Sequence, residues 1–263
     1  MSNGLTISSE KRNLDSMKTA IISEQGLRWS MEDAHLFEPD LGGHGWVFGG
    51  VYDGHGGRRA SEYAAANLHR ALLKHLNSGL EPEPAFSRAY EDTSNELAYQ
   101  DSGTTAVTIL LQGRQLTVAN AGDARAIMIG DSQVRQLTTD HRLDNPQERE
   151  RIERSGGRVK PPYVMRGFRG LMPTRSIGDE YFKPVGIIAR PSTGSLQITA
   201  GDRFLLLACD GLFDVMSNDE VADAARDEPD AESLADRLRR EVLEVRMGTD
   251  NLTVLILELN GKE

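Results

Sequence analysis

Cysteine, aromatic residues and long apolar segments are all scarce in this chain of 263 residues. It has one cysteine, Cys209, and only 6% Phe, Trp and Tyr. A single cysteine excludes an internal disulfide and a multi-cysteine zinc cluster, which is typical of a reduced, intracellular protein. No stretch reaches the 18 uncharged apolar residues of a membrane span, and the first residues lack the features of a secretory signal. We therefore expect a protein of the cytoplasm or nucleus without a membrane partner.

Positive charge is also in short supply. Thirty Lys and Arg residues stand against 40 Asp and Glu residues, which gives a net charge of −10. Proteins that bind nucleic acid normally present a basic surface, so this balance argues against a nucleic-acid partner. With 38% hydrophobic and 27% charged residues, the composition is that of an ordinary globular protein.

The chain is predicted to form one domain with an arm in front of it. Residues 1–16 are polar and aperiodic, so they are predicted to form a mobile N-terminal arm. No linker, repeat or low-complexity segment interrupts the remainder, and residues 17–260 are predicted to form a single globular domain. We expect this domain to be a monomer.

Strand patterns dominate that domain. A short apolar run at 46–52 ends at an Asp-Gly pair, and the runs at 204–209 and 252–259 are almost continuously apolar, as in strands covered on both faces. Turn residues separate four further segments, which are predicted to form one meander: 104–111, 115–121, 125–129 and 133–137.

Four segments have helical periodicity: 58–76, 84–98, 145–154 and 231–245. Strands covered on both faces, together with a few long helices, indicate two packed sheets with helices outside them. The predicted fold class is therefore α+β: a four-layer α/β sandwich in which two antiparallel β-sheets pack face to face and are flanked by helices.

Aspartates recur at the ends of the predicted strands. Asp53 and Asp210 each follow a strand and precede a glycine, Asp123 follows a third strand, and Asp250 precedes a fourth. Either Asp-Gly pair alone is most simply a turn, because both residues favour turns. In antiparallel neighbours, however, one strand ends beside the start of the next, so all four carboxylates can share one rim, and Glu32 and Asp33 can join them.

Carboxylates that converge without lysine partners repel one another unless a cation lies between them. Ligands that are all oxygen favour Mg²⁺ or Mn²⁺ over zinc, which prefers histidine and cysteine. The aspartate pattern thus predicts a site for a hard divalent cation.

A family resemblance extends this reading. The chain contains GLRWSMEDAH at 26–35 and VYDGHGG at 51–57. Further segments follow in order: SGTTA at 102–106, ANAGDAR at 119–125, DH at 140–141, TRSIGD at 174–179, CDGLFDV at 209–215 and DNLT at 250–253. In these segments, over residues 18–258, the chain resembles the PPM (type 2C) metal-dependent Ser/Thr protein phosphatases.

The resemblance implies a two-metal phosphatase acting on phosphorylated proteins. Asp53 would bridge two Mg²⁺ or Mn²⁺ ions, with the carbonyl of Gly54 on one ion and Asp210 and Asp250 on the other. Glu32 and Asp33 would complete the shell, largely through waters. Asp123 and Asp214, with Asp210, match a weaker third metal site of several family members.

Two further roles follow from the same resemblance. Arg28 would bind the substrate phosphate through its guanidinium fork. His55 would act as general acid toward the leaving serine or threonine oxygen. Cys209 is predicted to be a buried strand residue and not a nucleophile, because the chain lacks the cysteine-phosphatase loop around it.

One segment departs from the family pattern. Met172 and Pro173 stand where the family has a small and a β-branched residue, close to Pro161-Pro162 and to the basic residues Arg166, Arg169 and Arg175. This segment is the flap beside the active site in the family, so the departure bears on substrate preference and not on the metal core.

Two other functions compete with a phosphatase. A catalytically inactive relative acting as an adaptor would typically have lost metal aspartates, whereas Asp53, Asp210, Asp214 and Asp250 are all present. Another two-metal enzyme, such as a nuclease, is opposed by the acidic balance and by the lack of a groove that combines aromatic and basic residues.

Overall fold

Two five-stranded antiparallel sheets pack face to face in the computed structural model, which describes residues 17–97 and 101–259. Helices cover the outer face of each sheet, so the predicted four-layer α+β sandwich is confirmed. The arm predicted for residues 1–16 lies outside the described residues.

The strands, in chain order, are β1 (Thr19–Glu24), β2 (Ala34–Glu38), β3 (Trp46–Tyr52), β4 (Gly54–His55), β5 (Gly103–Thr104), β6 (Ala106–Gln112), β7 (Gln115–Ala121), β8 (Arg125–Gly130), β9 (Val134–Gln136), β10 (Arg158–Lys160), β11 (Tyr163–Arg166), β12 (Arg169–Leu171), β13 (Ile177–Gly178), β14 (Ser192–Gln197), β15 (Asp202–Ala208) and β16 (Leu252–Glu258). The helices are α1 (Arg59–Asn77), α2 (Pro82–Asn95), α3 (Pro146–Arg154), α4 (Asp210–Phe213), α5 (Asn218–Ala225) and α6 (Ala231–Arg240).

One large sheet has the strand order β1-β16-β15-β8-β9 and the other has β14-β7-β6-β3-β2. The single meander predicted from the sequence is therefore wrong. Strands β6 and β7 pair in one sheet, whereas β8 and β9 pair in the other, and the chain crosses between the sheets at residues 122–124. A pattern of strands and turns shows that neighbouring strands follow one another, but it does not show that they share a sheet.

The alternation of side chains along the strands builds three apolar layers. In β15, Leu205 and Leu207 point into the layer between the two sheets, while Phe204 and Leu206 point outward to α5 and α6. The other sheet turns its outer face to α1 and α2 in the same way, through residues such as Phe48 of β3. Both faces of the central strands are thus buried, which explains their almost continuously apolar sequences.

All four predicted helices are present, with two differences in their bounds. The first three predicted helices correspond to α1, α2 and α3, although α2 lies two to three residues earlier than 84–98. The segment 231–245 is α-helical only to Arg240 and continues as a π-helical turn at Glu241–Val245. Two helices, α4 and α5, were not predicted, although Ser217 and Glu220 form a complete capping box at the start of α5.

A separate flap lies between β9 and β14 in the chain. It consists of α3, the small sheet β10-β11-β12 and a 3₁₀ turn at Glu180–Val185, and it has its own apolar core that includes Ile152, Val164 and Phe182. Pro161 and Pro162 form the turn between β10 and β11, so neither proline interrupts a central strand. Within the described part of the chain, no helix combines the length and apolar character needed to cross a bilayer.

Candidate active site

The strand ends that carry the predicted aspartates meet at one rim of the sandwich. Strands β3 and β7 both pair antiparallel with β6, so they run the same way and bring Asp53 and Asp123 to the same edge. In the facing sheet, β15 and β16 are antiparallel neighbours, which places Asp210 after the end of one beside Asp250 before the start of the other. Strand β15 ends at Ala208, so Asp210 is the first residue of α4.

Eight of the ten predicted site residues line one cavity of about 450 Å³ at this rim. They are Arg28, Glu32, Asp53, Gly54, His55, Asp123, Asp210 and Asp250. Residues 170–173 of the flap form part of its wall, so the unusual Met172 and Pro173 face the same space. Asp33 is buried behind the cavity beside Asp53 and Asp250, and Asp214 lies outside it, with its side chain about half exposed.

The carboxylates around the cavity raise one another's pKa values. Burial, and then the charges of Asp210 and Asp33, raise the pKa of Asp53 well above its ordinary value. Burial and Asp123 likewise raise the pKa of Asp210 to about 7, and burial raises the pKa of Asp33 to about 6. Among the described residues, neither Asp53 nor Asp33 forms an ion pair with a basic side chain.

Two arginines hold the outer carboxylates of the cluster. Nη2 of Arg28 lies 2.5 Å from Oδ2 of Asp250, and Arg142 contacts Asp123, Asp210 and Asp214. In this conformation, no three His, Cys, Asp or Glu side chains of the described residues converge closely enough to enclose an ion. The donors are nevertheless all oxygen and their negative charge is unbalanced, which fits a hard divalent cation.

The loop that carries Arg28, Glu32 and Asp33 is fastened by Asn251. The side-chain amide of Asn251 donates to the carbonyls of Gln25 and Ser30 at 2.8 and 3.1 Å, and its oxygen accepts from the backbone N–H of Glu32 at 3.0 Å. The Glu32 carboxylate accepts from Ser30 Oγ at 2.9 Å and from the Gly57 N–H at 3.0 Å. Residue 54 must be glycine, because a Cβ there would lie 2.2 Å from the carbonyl oxygen of Glu32.

His55 is paired with a buried aspartate. Its Nε2 lies 2.7 Å from Oδ2 of Asp179, which is 8% exposed and has a left-handed backbone with φ of 52°. Burial opposes the charged imidazolium, but Asp179 and then Asp123 outweigh that cost and raise the pKa of His55. A Cβ on Gly103 would lie 2.0 Å from Asp179 Oδ2 and 2.5 Å from His55 Nε2, so the pair requires glycine there.

Three residues of this site were missed in the sequence: Arg142, Asp179 and Asn251. Each stands inside or next to a segment already singled out, since Arg142 follows DH, Asp179 ends TRSIGD, and Asn251 belongs to DNLT. Their location in or next to these segments is the sequence feature from which the three residues could have been found. Their partners lie 19 to 226 residues away in the chain, so only the fold reveals the contacts.

The structure also bears on the predictions made for Cys209 and for the basic residues of the flap. Cys209 is buried, and burial raises the pKa of its thiol well above the ordinary value, which agrees with a structural role; it lies just after β15 and not within it. The basic residues of the flap do not form one cluster. Arg166 and Arg169 stack on Tyr181 at 4.5 and 5.2 Å, whereas Arg175 binds Glu148.

Comparison with known proteins agrees with this geometry. The family model described as "Protein phosphatase 2C" matches residues 17–251. "Probable protein phosphatase 2C 59" of Arabidopsis thaliana is 36% identical over 243 residues, 89% of this chain and 77% of that protein. "Probable protein phosphatase 2C 45" of Oryza sativa subsp. japonica is also 36% identical, covering 91% and 87%.

Solved structures show the same fold. The serine-threonine phosphatase 2C from Toxoplasma gondii superposes with a TM-score of 0.81 at 23% identity, over 92% of this chain and 94% of that one. A sex-determining protein of C. elegans gives 0.82 at 25% identity, over 93% and 65%. The chain therefore belongs to the protein phosphatase 2C family, whose members are metal-dependent enzymes that remove phosphate from proteins.

Proposed function

We propose that the chain hydrolyses phosphoserine and phosphothreonine on proteins, using a water activated between two divalent ions. One observation carries the proposal: a cluster of carboxylates, of which Asp53 has no basic partner among the described residues, shares a cavity with a His–Asp pair and an arginine. This combination supplies a place for metal, a proton donor and a phosphate contact. An adaptor would need none of the three.

The carboxylate cluster would hold two Mg²⁺ or Mn²⁺ ions. Asp53 would bridge them, with the Gly54 carbonyl on one ion and Asp210 and Asp250 on the other, and Glu32 and Asp33 would bind through waters. Bound there, the ions would lower the pKa of a water between them and neutralise the phosphoryl oxygens. Local positive charge of this kind is what lets an acidic protein bind a dianionic phosphate.

Arg28 would orient the phosphate. Its side chain is 58% exposed and lines the cavity, and its ion pair with Asp250 uses one of the five N–H donors of the guanidinium. The remaining donors suit a bidentate contact to phosphate oxygens.

His55 would supply the proton to the leaving oxygen. A serine alkoxide is a poor leaving group, so protonation as the P–O bond breaks speeds the reaction. Asp179 favours the protonated ring and fixes its Nε2, which leaves Nδ1 as the nitrogen available to the substrate. The histidine thus needs Asp179 both for charge and for orientation.

We expect the partners to be phosphorylated proteins and not nucleic acid or a membrane. The protein is expected to act as a monomer in the cytoplasm or nucleus. Residues 170–173 line the same cavity as Arg28 and would contact the polypeptide that flanks the phosphorylated residue. The segment around Met172 and Pro173 is therefore the place where we expect substrate preference to be decided.

Metal removal and restoration test the proposal. Phosphatase activity on a phosphoserine peptide should disappear in excess chelator and return when Mn²⁺ or Mg²⁺ exceeds the chelator, because no basic side chain replaces the ions beside Asp53 and Asp33. Full turnover in the chelator would contradict the two-ion reaction. Zinc as the best activator would contradict the assignment to hard cations.

A further inference from the structure

The three carboxylates that match a weaker third metal site surround a guanidinium of the chain itself. Nε of Arg142 lies 2.7 Å from Oδ2 of Asp123, and its Nη2 lies 3.3 Å from Oδ2 of Asp210 and 3.2 Å from Oδ1 of Asp214. We propose that Arg142 is the resident cation of this position and that it excludes a third ion, so that the chain binds two divalent ions. The inference rests on the proposed function and specifies its metal content.

The backbone around Arg142 is anchored on both sides. The N–H of the preceding His141 donates to the carbonyl of Gly122 at 2.9 Å, and its ring contacts Gly122 through Nδ1 and Ser192 through Nε2. The following Leu143 is 5% exposed in the core of the flap. The backbone that carries Arg142 is therefore held on both sides, which restricts the positions that its guanidinium can reach.

The guanidinium also reaches the most buried carboxylate of the trio. Asp123 is 2% exposed, and Arg142 has 28% of its side chain exposed. An ion entering this position would have to displace Arg142 from Asp123 or bind beside a positive charge. Either event opposes binding, because like charges at contact distance repel strongly in a partly buried site.

The part of the cluster around Asp53 and Asp33 differs from the Arg142 position, because no cation of the described residues lies beside these two carboxylates. Asp53 and Asp33 have no basic partner among the described residues, so an ion that binds there meets no competing side chain. The cluster is thus divided: one side is open to metal, and the other is already neutralised by Arg142. Asp210 belongs to both sides, since it contacts Arg142 and also raises the pKa of Asp53.

Metal stoichiometry tests the proposal without depending on turnover. The metal-free protein is dialysed against a series of Mn²⁺ concentrations into the millimolar range, and bound metal is measured by elemental analysis. We expect two ions in the wild type and three in Arg142→Gln, with affinity at the third position higher by about tenfold or more once the charge is removed. Arg142→Lys keeps the charge and should bind two.

Arg149→Gln is the matched control, because Arg149 forms an exposed pair with Glu153 on α3, away from the cavity; it should bind two ions. Three ions in the wild type, or two in Arg142→Gln, would overturn the proposal while leaving two-ion binding intact. Fewer than two ions in the wild type, with turnover that survives chelation, would refute the proposed function itself and this inference with it. Thermal melts of all four proteins report whether each variant is folded.

Discussion

Two acidic centres of this protein differ in the charge of their neighbours: Glu148 lies beside basic side chains, and Asp53 lies beside other carboxylates. Glu148 of α3 is 2% exposed and accepts hydrogen bonds from Arg151, Arg175 and Thr174 at 2.5 to 2.7 Å. Although burial alone would raise its pKa, these donors hold the pKa of Glu148 well below its usual range. Asp53, at the floor of the cavity, has acidic neighbours instead, and its pKa is raised.

The difference indicates that the Glu148 centre has a structural role and that the Asp53 centre has a functional one. The Glu148 centre contains its own cations and joins α3 to the segment at Thr174 and Arg175, so it is complete as it stands. The Asp53 centre keeps an unfavourable charge distribution that folding alone would not favour. Such a cluster is explained by a ligand of opposite charge that binds to it. Asp123, Asp210 and Asp214 are intermediate between the two centres, because Arg142 of the chain itself contacts all three.

Neutralising Asp53 should have the largest effect on activity. Asp53→Asn removes the one carboxylate proposed to bridge both ions, so turnover of a phosphoserine peptide should fall by about a thousandfold or more. The metal-free variant should melt at the wild-type temperature or above it, because one of several repelling carboxylates is gone.

Asp131→Asn is the matched control. Asp131 follows β8 at the opposite rim and is exposed, so the same chemical change there should leave turnover unaltered. Near wild-type turnover in Asp53→Asn with Mn²⁺ still bound would show that this carboxylate does not bridge.

The corresponding change in the other centre should act on stability. Glu148→Gln leaves Arg151 and Arg175 without their shared carboxylate, and we expect the free energy of unfolding to fall by about 3–5 kcal/mol. Denaturant unfolding in excess chelator measures it, with Glu153→Gln as control, since Glu153 forms an exposed pair on the same helix and should cost less than about 1 kcal/mol. A loss in Glu148→Gln as small as in the control would mean that the two centres do not differ as described.

A smaller and selective effect is expected at His55. His55→Gln should slow hydrolysis of a phosphoserine peptide by about a hundredfold, in the range typical of a lost general acid. Hydrolysis of p-nitrophenyl phosphate should change far less, because p-nitrophenolate departs readily without a proton. Equal losses on both substrates would indicate a structural role and would remove the general-acid assignment.

Much of this picture could be predicted from the sequence, for reasons that particular residues make clear. Apolar runs such as 204–209 located the buried strands, and the aspartates at their ends fell on one rim because antiparallel order places strand ends beside strand starts. The assignment of strands to sheets could not be predicted, since β7 and β8 have similar patterns on either side of the crossover.

The ion-pair and hydrogen-bond partners of the site residues could not be predicted from the sequence either. Arg142, Asp179 and Arg28 act through contacts with Asp123, His55 and Asp250, and these contacts are set by tertiary packing across 19, 124 and 222 residues. The positions of the aspartates at strand ends predicted that the carboxylates would converge. They did not predict which of them the chain would neutralise itself.

Proton release on metal binding tests the central contrast most directly. In the metal-free protein, the raised pKa values of Asp210 and Asp33, about 7 and about 6, mean that folding favours their protonated forms. This contribution to stability is fully present below about pH 4, the ordinary value for aspartate, and is lost as the pH rises through 6 to 7.

Divalent ions need the deprotonated carboxylates, so they must expel these protons. Calorimetric titration of the metal-free protein with Mn²⁺ at pH 6.5, in two buffers of different ionisation enthalpy, measures the number of protons released. The carboxylate account predicts net release of protons and an affinity that rises with pH up to about 7 to 8. Binding without proton release and independent of pH would contradict it.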